Sequence, residues 1–311
     1  MGAHMLSLQQ LVAQELSVDV APQISDFAAA IAAQYPGAAR GVLFYGSCLR
    51  TEELAGQMLD FYLIVSSYEA AYGQSWLVRA NTLLPPNVFP FEHAGLMAKV
   101  AILSEMDFHM LNRPEASAVS VWARFAQPSR LVWCEDEVAE RKIIMSVAGA
   151  APTLLNVALA QTEREVDIID LWQSGFALTY SAELRAERTS RPASVVDHDP
   201  QRYETFGAAA LHHTMVPNEI RGGKVYLKTD PENRAHKERR RWPALRRRGK
   251  ILTIARLAKA AFTYAGGIDY LAWKVNRHAG TQITVRDWQR RWPLIAAMFL
   301  VPKLLMKGAV R

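Results

Sequence analysis

The chain has 311 residues, half of them hydrophobic and 21% charged, which excludes a disordered chain and leaves room for two or three domains with sizeable cores. Its only cysteines, Cys48 and Cys134, make neither a zinc site nor a disulfide framework, so a reducing compartment is expected. The net charge of +6 is unevenly placed, because Arg and Lys crowd residues 234–259, and that excess points to an anionic partner. Residues 1–5, Met-Gly-Ala-His-Met, read as an expression scar, and no signal peptide follows. No apolar run approaches the roughly 20 residues that span a bilayer.

Residues 7–35 read as helical, with Ile24, Phe27, Ile31 and Tyr35 on one face. Residues 43–45 form a short buried strand, 48–55 a helix, 59–65 the next strand and 68–84 the next helix, which Pro85-Pro86 breaks. Residues 88–91 and 96–103 read as strands separated by Glu92-His93-Ala94-Gly95. Ser104 is a good N-cap for a helix from Glu105, 119–126 is helical, and 130–133 is a last short strand. Residues 6–135 are thus expected to be a mixed α/β domain.

Residues 136–184 are mostly helical, and a second small domain is expected over 136–200. A polar, Pro-bearing loop covers 186–198, and Gly222-Gly223 marks a turn inside 200–230. Residues 231–250 read as a Pro- and Arg-rich linker, and helical periodicity returns over 251–275. Trp288, Trp292 and the apolar run 293–302 close a C-terminal region spanning 201–311.

One stretch carries chemistry. The apolar run Gly41-Val-Leu-Phe-Tyr45 ends in Gly46-Ser47, a short polar stretch follows, and Met58-Leu-Asp-Phe-Tyr-Leu-Ile-Val65 holds one acid, Asp60. This is the layout of a nucleotidyltransferase palm. Gly46 lets backbone approach a triphosphate, and Ser47 donates to its oxygens. Asp60 is expected to hold Mg²⁺ (or Mn²⁺), because an unpaired carboxylate in an apolar run is costly without a partner. Many such enzymes carry Asp-x-Asp, whose alternation sets two carboxylates on one face; here the i+2 residue is Tyr62. Lys99 stands alone in an apolar strand, either snorkelling to water or neutralising phosphate charge. None of the eight histidines has metal-ligand spacing.

Four segments together resemble a known family. Phe44-Tyr45-Gly46-Ser47 is similar to a Tyr-Gly-Ser-Gly turn, Met58-Leu59-Asp60-Phe61 to a Met-Leu-Asp-Phe strand, and Lys99-Val100-Ala101-Ile102-Leu103-Ser104 to a Lys-Tyr-Gly-Val-Ile-Ser strand. Leu178-Thr179-Tyr180-Ser181-Ala182-Glu183-Leu184-Arg185 resembles a Leu-Ser-Tyr-Ser-Gly-Asp-x-Arg segment. These belong, in this order, to the mitochondrial translocator-assembly-and-maintenance proteins, which are phosphatidate cytidylyltransferases. The chain departs at Cys48, which replaces a glycine, and at Glu183, which replaces Asp.

The resemblance implies an α+β fold: a polymerase-beta-like nucleotidyltransferase domain, a winged-helix-like domain and a basic helical C-terminus. It implies CTP and phosphatidic acid as substrates, with Asp60, Lys99 and Glu183 catalytic and Tyr45, Gly46, Ser47, Tyr180, Ser181 and Arg185 around the nucleotide. Glu183 is the first choice for a second metal carboxylate and Glu92 a weaker one; a single-carboxylate site completed by phosphates and water stays open. Arg246, Arg247, Arg248, Lys250 and Lys259 are expected to meet an anionic membrane surface or lipid phosphate, a reading favoured over nucleic acid. The expected place is the inner face of a bacterial membrane, bound from the cytoplasm, or the mitochondrial inner membrane in a eukaryote.

Overall fold

A computed structural model describes residues 6–263, apart from 52, 55, 164, 184–194 and 231, together with Arg286. The predicted helix beyond residue 263, Trp288, Trp292, the apolar run 293–302, most of the loop 186–198 and Arg185 lie outside the described residues.

The expected strand–turn–strand unit is present. Strand β1 (Ala39–Tyr45) leads into a short helix α3 (Ser47–Thr51), and β2 (Met58–Val65) returns antiparallel to β1. Alternation sends Leu59, Phe61, Leu63 and Val65 to one face and Asp60, Tyr62 and Ile64 to the other. Strand β3 (Asn87–His93) and β4 (Leu96–Ser104) form a hairpin whose loop is only Ala94-Gly95, at φ 48° and 77°. Two left-handed residues match the strand twist of a tight hairpin. With β5 (Ser129–Cys134) the sheet order is β3-β4-β2-β1-β5; β2 and β4 are parallel and every other pair is antiparallel, so the fold is mixed α+β.

Two long predicted helices divide. The first becomes α1 (Leu8–Leu16), opened by a Ser7–Gln10 capping box, and α2 (Pro22–Ala33), with Pro22 in its first turn. The stretch 68–84 becomes α4 (Tyr68–Tyr72) and α5 (Trp76–Leu83), because Gly73 takes φ 61° and Ser75 caps the new start. Helix α2 covers the outer sheet face, with Phe27 stacked on Phe61 at 5.3 Å between ring centres.

The inner face carries α6 (Glu105–Leu111), capped by Ser104 as expected, and α7 (Trp122–Phe125). Beyond these lie α8 (Glu137–Ala148), α9 (Ala150–Gln161), β6 (Glu165–Asp167), α10 (Ile168–Ala182), α11 (Pro200–Leu211), β7 (Asn218–Arg221) and β8 (Lys224–Leu227). Residues 137–161 are long and apolar enough to cross a membrane, yet their apolar window is 83% buried inside the fold.

Two expectations are corrected. Strand β6 pairs with β8, and β8 with β7, so a boundary at 200 cuts a three-stranded sheet. One buried cluster also runs from Leu8 to Leu245 across both expected boundaries. Such pairing of short distant strands leaves no compositional mark. From Arg234 on, the predicted linker 231–250 is instead part of a single helix, α12 (Arg234–Thr263), despite Pro243 inside it. Buried Glu238, Trp242 and Leu245 anchor one stripe, and Arg241 donates to the carbonyls of Pro114 and Ala116. Packing overrides the local cost of proline here.

Gly249 is where α12 crosses the end of α10. A Cβ there would lie 2.4 Å from the Ala182 carbonyl oxygen, a backbone atom that cannot swing away. Gly249→Ala is therefore expected to destabilise the protein by about 1–3 kcal/mol, whereas helix propensity alone predicts a gain. A urea unfolding midpoint above that of the parent protein would refute this.

Candidate active site

The sheet register assembles a row of side chains. Tyr45 stands opposite Asp60, and Asp60 opposite Lys99, with Ser129 and Pro90 at the ends. Lys99 Nζ lies 2.9 Å from Asp60 Oδ1, and these side chains are 27% and 25% exposed. The pair is thus open to a ligand from solvent.

Gly46 follows directly at φ 97°, and a Cβ on it would come 3.1 Å from Asp60 Oδ2. Glycine is needed for both the left-handed backbone and the close approach. Ser47, exposed, opens α3 beside the carboxylate. Gly46 and Lys99 thus both approach the Asp60 carboxylate, with Ser47 next to Gly46 in the chain.

The position of an expected second carboxylate has another use. Tyr62 is buried, with its ring 5.3 Å from Tyr45 and 5.2 Å from Phe125. Burial, reinforced by Asp60, pushes the Tyr45 hydroxyl well above its usual range. Burial raises Tyr62 as well, against the opposing fields of Arg124 and Arg256. Both phenols stay protonated and form a neutral wall. Cys48 is buried, raised first by that burial and then by Asp60, which makes it a structural thiol rather than a nucleophile.

Behind this wall lies a polar cluster of which the sequence reading singled out Glu183 but neither arginine. Arg124 of α7 pairs with Glu183 at 3.5 Å and donates to the Ser120 carbonyl. Arg256 of α12 donates to Ser120 Oγ at 2.9 Å and to the Pro85 carbonyl at 2.8 Å. Burial works against the Arg124 charge, but the carboxylates of Glu183 and, at longer range, Asp60 offset it and hold the guanidinium protonated. Burial lowers Arg256. Arg124 carries the same signal that singles out Asp60, a lone charge in an apolar run; Arg256 is hidden in a run of basic residues.

Glu183 caps the end of α10 and is 8% exposed, but it faces Arg124. Ser181 turns its hydroxyl onto Leu178 of its own helix at 2.7 Å, and Tyr180 precedes it on the last turn of α10. Glu92 lies on β3, exposed and opposite Met97. Arg246, Arg247, Arg248 and Lys250 are exposed along α12. The expectation for Lys259 is corrected: its ammonium turns into the protein and donates to the Leu84 and Pro86 carbonyls and to Asn87 Oδ1, the last two at 2.8 and 2.9 Å. Burial and then Arg256 bring it down to about 7. Its place on α12 sets it against the Pro85-Pro86 turn rather than in solvent.

Among the described residues, no three His, Cys, Asp or Glu side chains cluster to hold a metal. The donor set matches a magnesium ion only through Asp60 as a single carboxylate, an arrangement this cation commonly completes with phosphate oxygens and water.

No family model and no curated protein matches the chain. Among solved structures it is similar to a nucleotidyltransferase-like protein from Exiguobacterium sibiricum, at 10% identity over 92% of each chain with a TM-score of 0.28. A likeness at that level carries no argument about the site, whose reading rests on its own geometry.

Proposed function

We propose that the protein is a nucleotidyltransferase that passes CMP from CTP to phosphatidic acid, giving CDP-diacylglycerol and pyrophosphate. The observation that carries this reading is the Asp60–Lys99 pair, set against the Gly46-Ser47 turn on neighbouring strands. A carboxylate, a cation and a close-approach glycine brought together at a partly exposed site suit a polyphosphate better than a neutral substrate.

In this reading the triphosphate lies over Gly46, with the Ser47 hydroxyl donating to a phosphate oxygen. The acceptor phosphate attacks the α-phosphorus in line, its oxygen forms the new P–O bond, and the bond to the β-phosphate breaks with pyrophosphate leaving. Lys99 neutralises charge on the phosphates as that bond changes hands. The acceptor is already ionised near neutral pH, so no strong base is required. Asp60 would hold Mg²⁺ or Mn²⁺, which supplies Lewis-acid stabilisation of the phosphoryl oxygens. Arg124 and Arg256 contribute positive potential behind the tyrosine wall.

Two further features support the wider reading of the chain as similar to the translocator-assembly-and-maintenance family. Among the described residues of 150–227, the order α9, β6, α10, α11 and the β7–β8 hairpin fits a winged-helix-like unit. Exposed Arg246, Arg247, Arg248 and Lys250 adjoin Ile251 and Ile254, which are 65% and 39% exposed. Basic and apolar groups side by side suit the surface of an anionic membrane, reached peripherally.

The test is incubation of the protein with α-labelled CTP, Mg²⁺ and phosphatidic acid in mixed micelles. Label in the lipid phase that requires phosphatidic acid is the expected result. Label released as CMP conjugates of another acceptor would keep the transferase and change the substrate. Absence of both transfer and CTP binding would leave a non-catalytic scaffold.

A further inference from the structure

Helices α1 and α11, the end of α3 and the start of β5 line an open groove of about 350 Å³. None of the residues around the Asp60–Lys99 pair lines it. Arg50, Arg130 and Arg202 do, with His198 exposed beside them. Leu11, Leu49 and Phe206 supply apolar wall.

The three guanidiniums are not equivalent. Arg202 is 7% exposed and is committed to Glu15, with Nη2 2.9 Å from Oε1 and Nε on the other oxygen. Among the described residues, Arg50 reaches only the amide oxygen of Gln127, at 3.4 Å. Arg130 spends Nη1 on the Ser129 carbonyl at 3.0 Å, and its buried Nε meets no protein acceptor. Among the described residues neither Arg50 nor Arg130 makes a short ion pair with a carboxylate, although the charge of Glu15, held by Arg202, also acts on Arg130. The other acid on the groove, Asp199, caps α11 by accepting from the Arg202 backbone N–H. Three positive groups thus face two negative ones before His198 is counted.

An anion in the groove would offset this excess of positive charge and accept from guanidinium N–H groups of Arg50 and Arg130 that no carboxylate occupies. The forked geometry of arginine suits phosphate oxygens, and the apolar wall suits a carbon skeleton. The volume falls in the range of small-ligand sites, roughly 300–1,000 Å³. We infer that this groove binds a small organic phosphate monoester, its phosphate held by Arg50 and Arg130 and its carbon part against Leu49 and Phe206. Arg50 lies three residues past Ser47 on α3, so a ligand here adjoins the helix that carries the candidate phosphate turn.

Titration calorimetry of the full-length protein with glycerol 3-phosphate tests this, with inorganic phosphate as a second probe. One site is expected, and it weakens at least about tenfold in Arg50→Gln/Arg130→Gln. Arg50→Gln alone serves if the double variant does not fold. Asp60→Asn is expected to leave the affinity unchanged. Equal affinity in the arginine variants, loss of binding in Asp60→Asn, or no heat at millimolar probe would each overturn the assignment. Tighter binding of inorganic phosphate than of glycerol 3-phosphate would overturn the role of the apolar wall. The readout is binding, so it stands or falls apart from CTP turnover.

Discussion

Asp60→Asn is expected to lower CTP-dependent transfer by a factor on the order of a hundred or more, with the fold intact. The substitution keeps size and removes the charge that faces Lys99 and the Gly46 turn. Removing one preorganised electrostatic group from a phosphoryl- or acyl-transfer site commonly costs about 10²–10³ in rate. The pair is about one-quarter exposed, so stability changes little; a partly exposed ion pair contributes on the order of 0–1 kcal/mol. The check is the initial rate of label transfer at saturating Mg²⁺, alongside a circular-dichroism melt. Turnover within a fewfold of the parent would remove Asp60 from the chemistry and, with it, the proposed transfer.

The largest stability effect is expected at Glu15. Its carboxylate takes two hydrogen bonds from Arg202, and the partners, 187 residues apart in sequence, are 11% and 7% exposed. They join α1 to α11. Glu15→Ala leaves the Arg202 guanidinium buried with the Ala126 carbonyl, 3.3 Å from Nη1, as its one remaining hydrogen-bond acceptor among the described residues. Breaking one side of a buried pair costs about 3–5 kcal/mol, because the surviving charge is uncompensated. Replacing both partners, Glu15→Leu with Arg202→Met, is expected to recover much of that loss. Urea unfolding of the three proteins measures it, and a loss below about 1 kcal/mol for Glu15→Ala would mean that water screens the pair.

The core of the candidate site is legible in the sequence because its parts are local. A strand, a glycine turn and a second strand lie within 39–65, and alternation alone puts Asp60 on the opposite face from Leu59 and Phe61. The Ser104 cap and the Ala94-Gly95 turn are local in the same sense, set by backbone hydrogen bonds and φ over a few residues. Lys99 stands out as a lone cation among apolar neighbours, but its partner does not. The parallel register of β2 and β4 makes that pairing, and it depends on the crossover closing to one length.

Other features are decided at longer range. Arg124 and Glu183, 59 residues apart, meet only because α7 and the end of α10 share the main core. The Arg-rich segment 234–250 has the composition of a solvated linker, yet buried Trp242 and Leu245 make it a helix, and Lys259 turns inward with it. The β6-β8-β7 sheet spans a boundary that polarity alone draws at residue 200. Turns, caps and alternation follow from neighbouring residues and are read directly from the chain. Register, the partner of each buried charge and the face a helix buries follow from the free energy of the assembled core, to which no single segment holds the key.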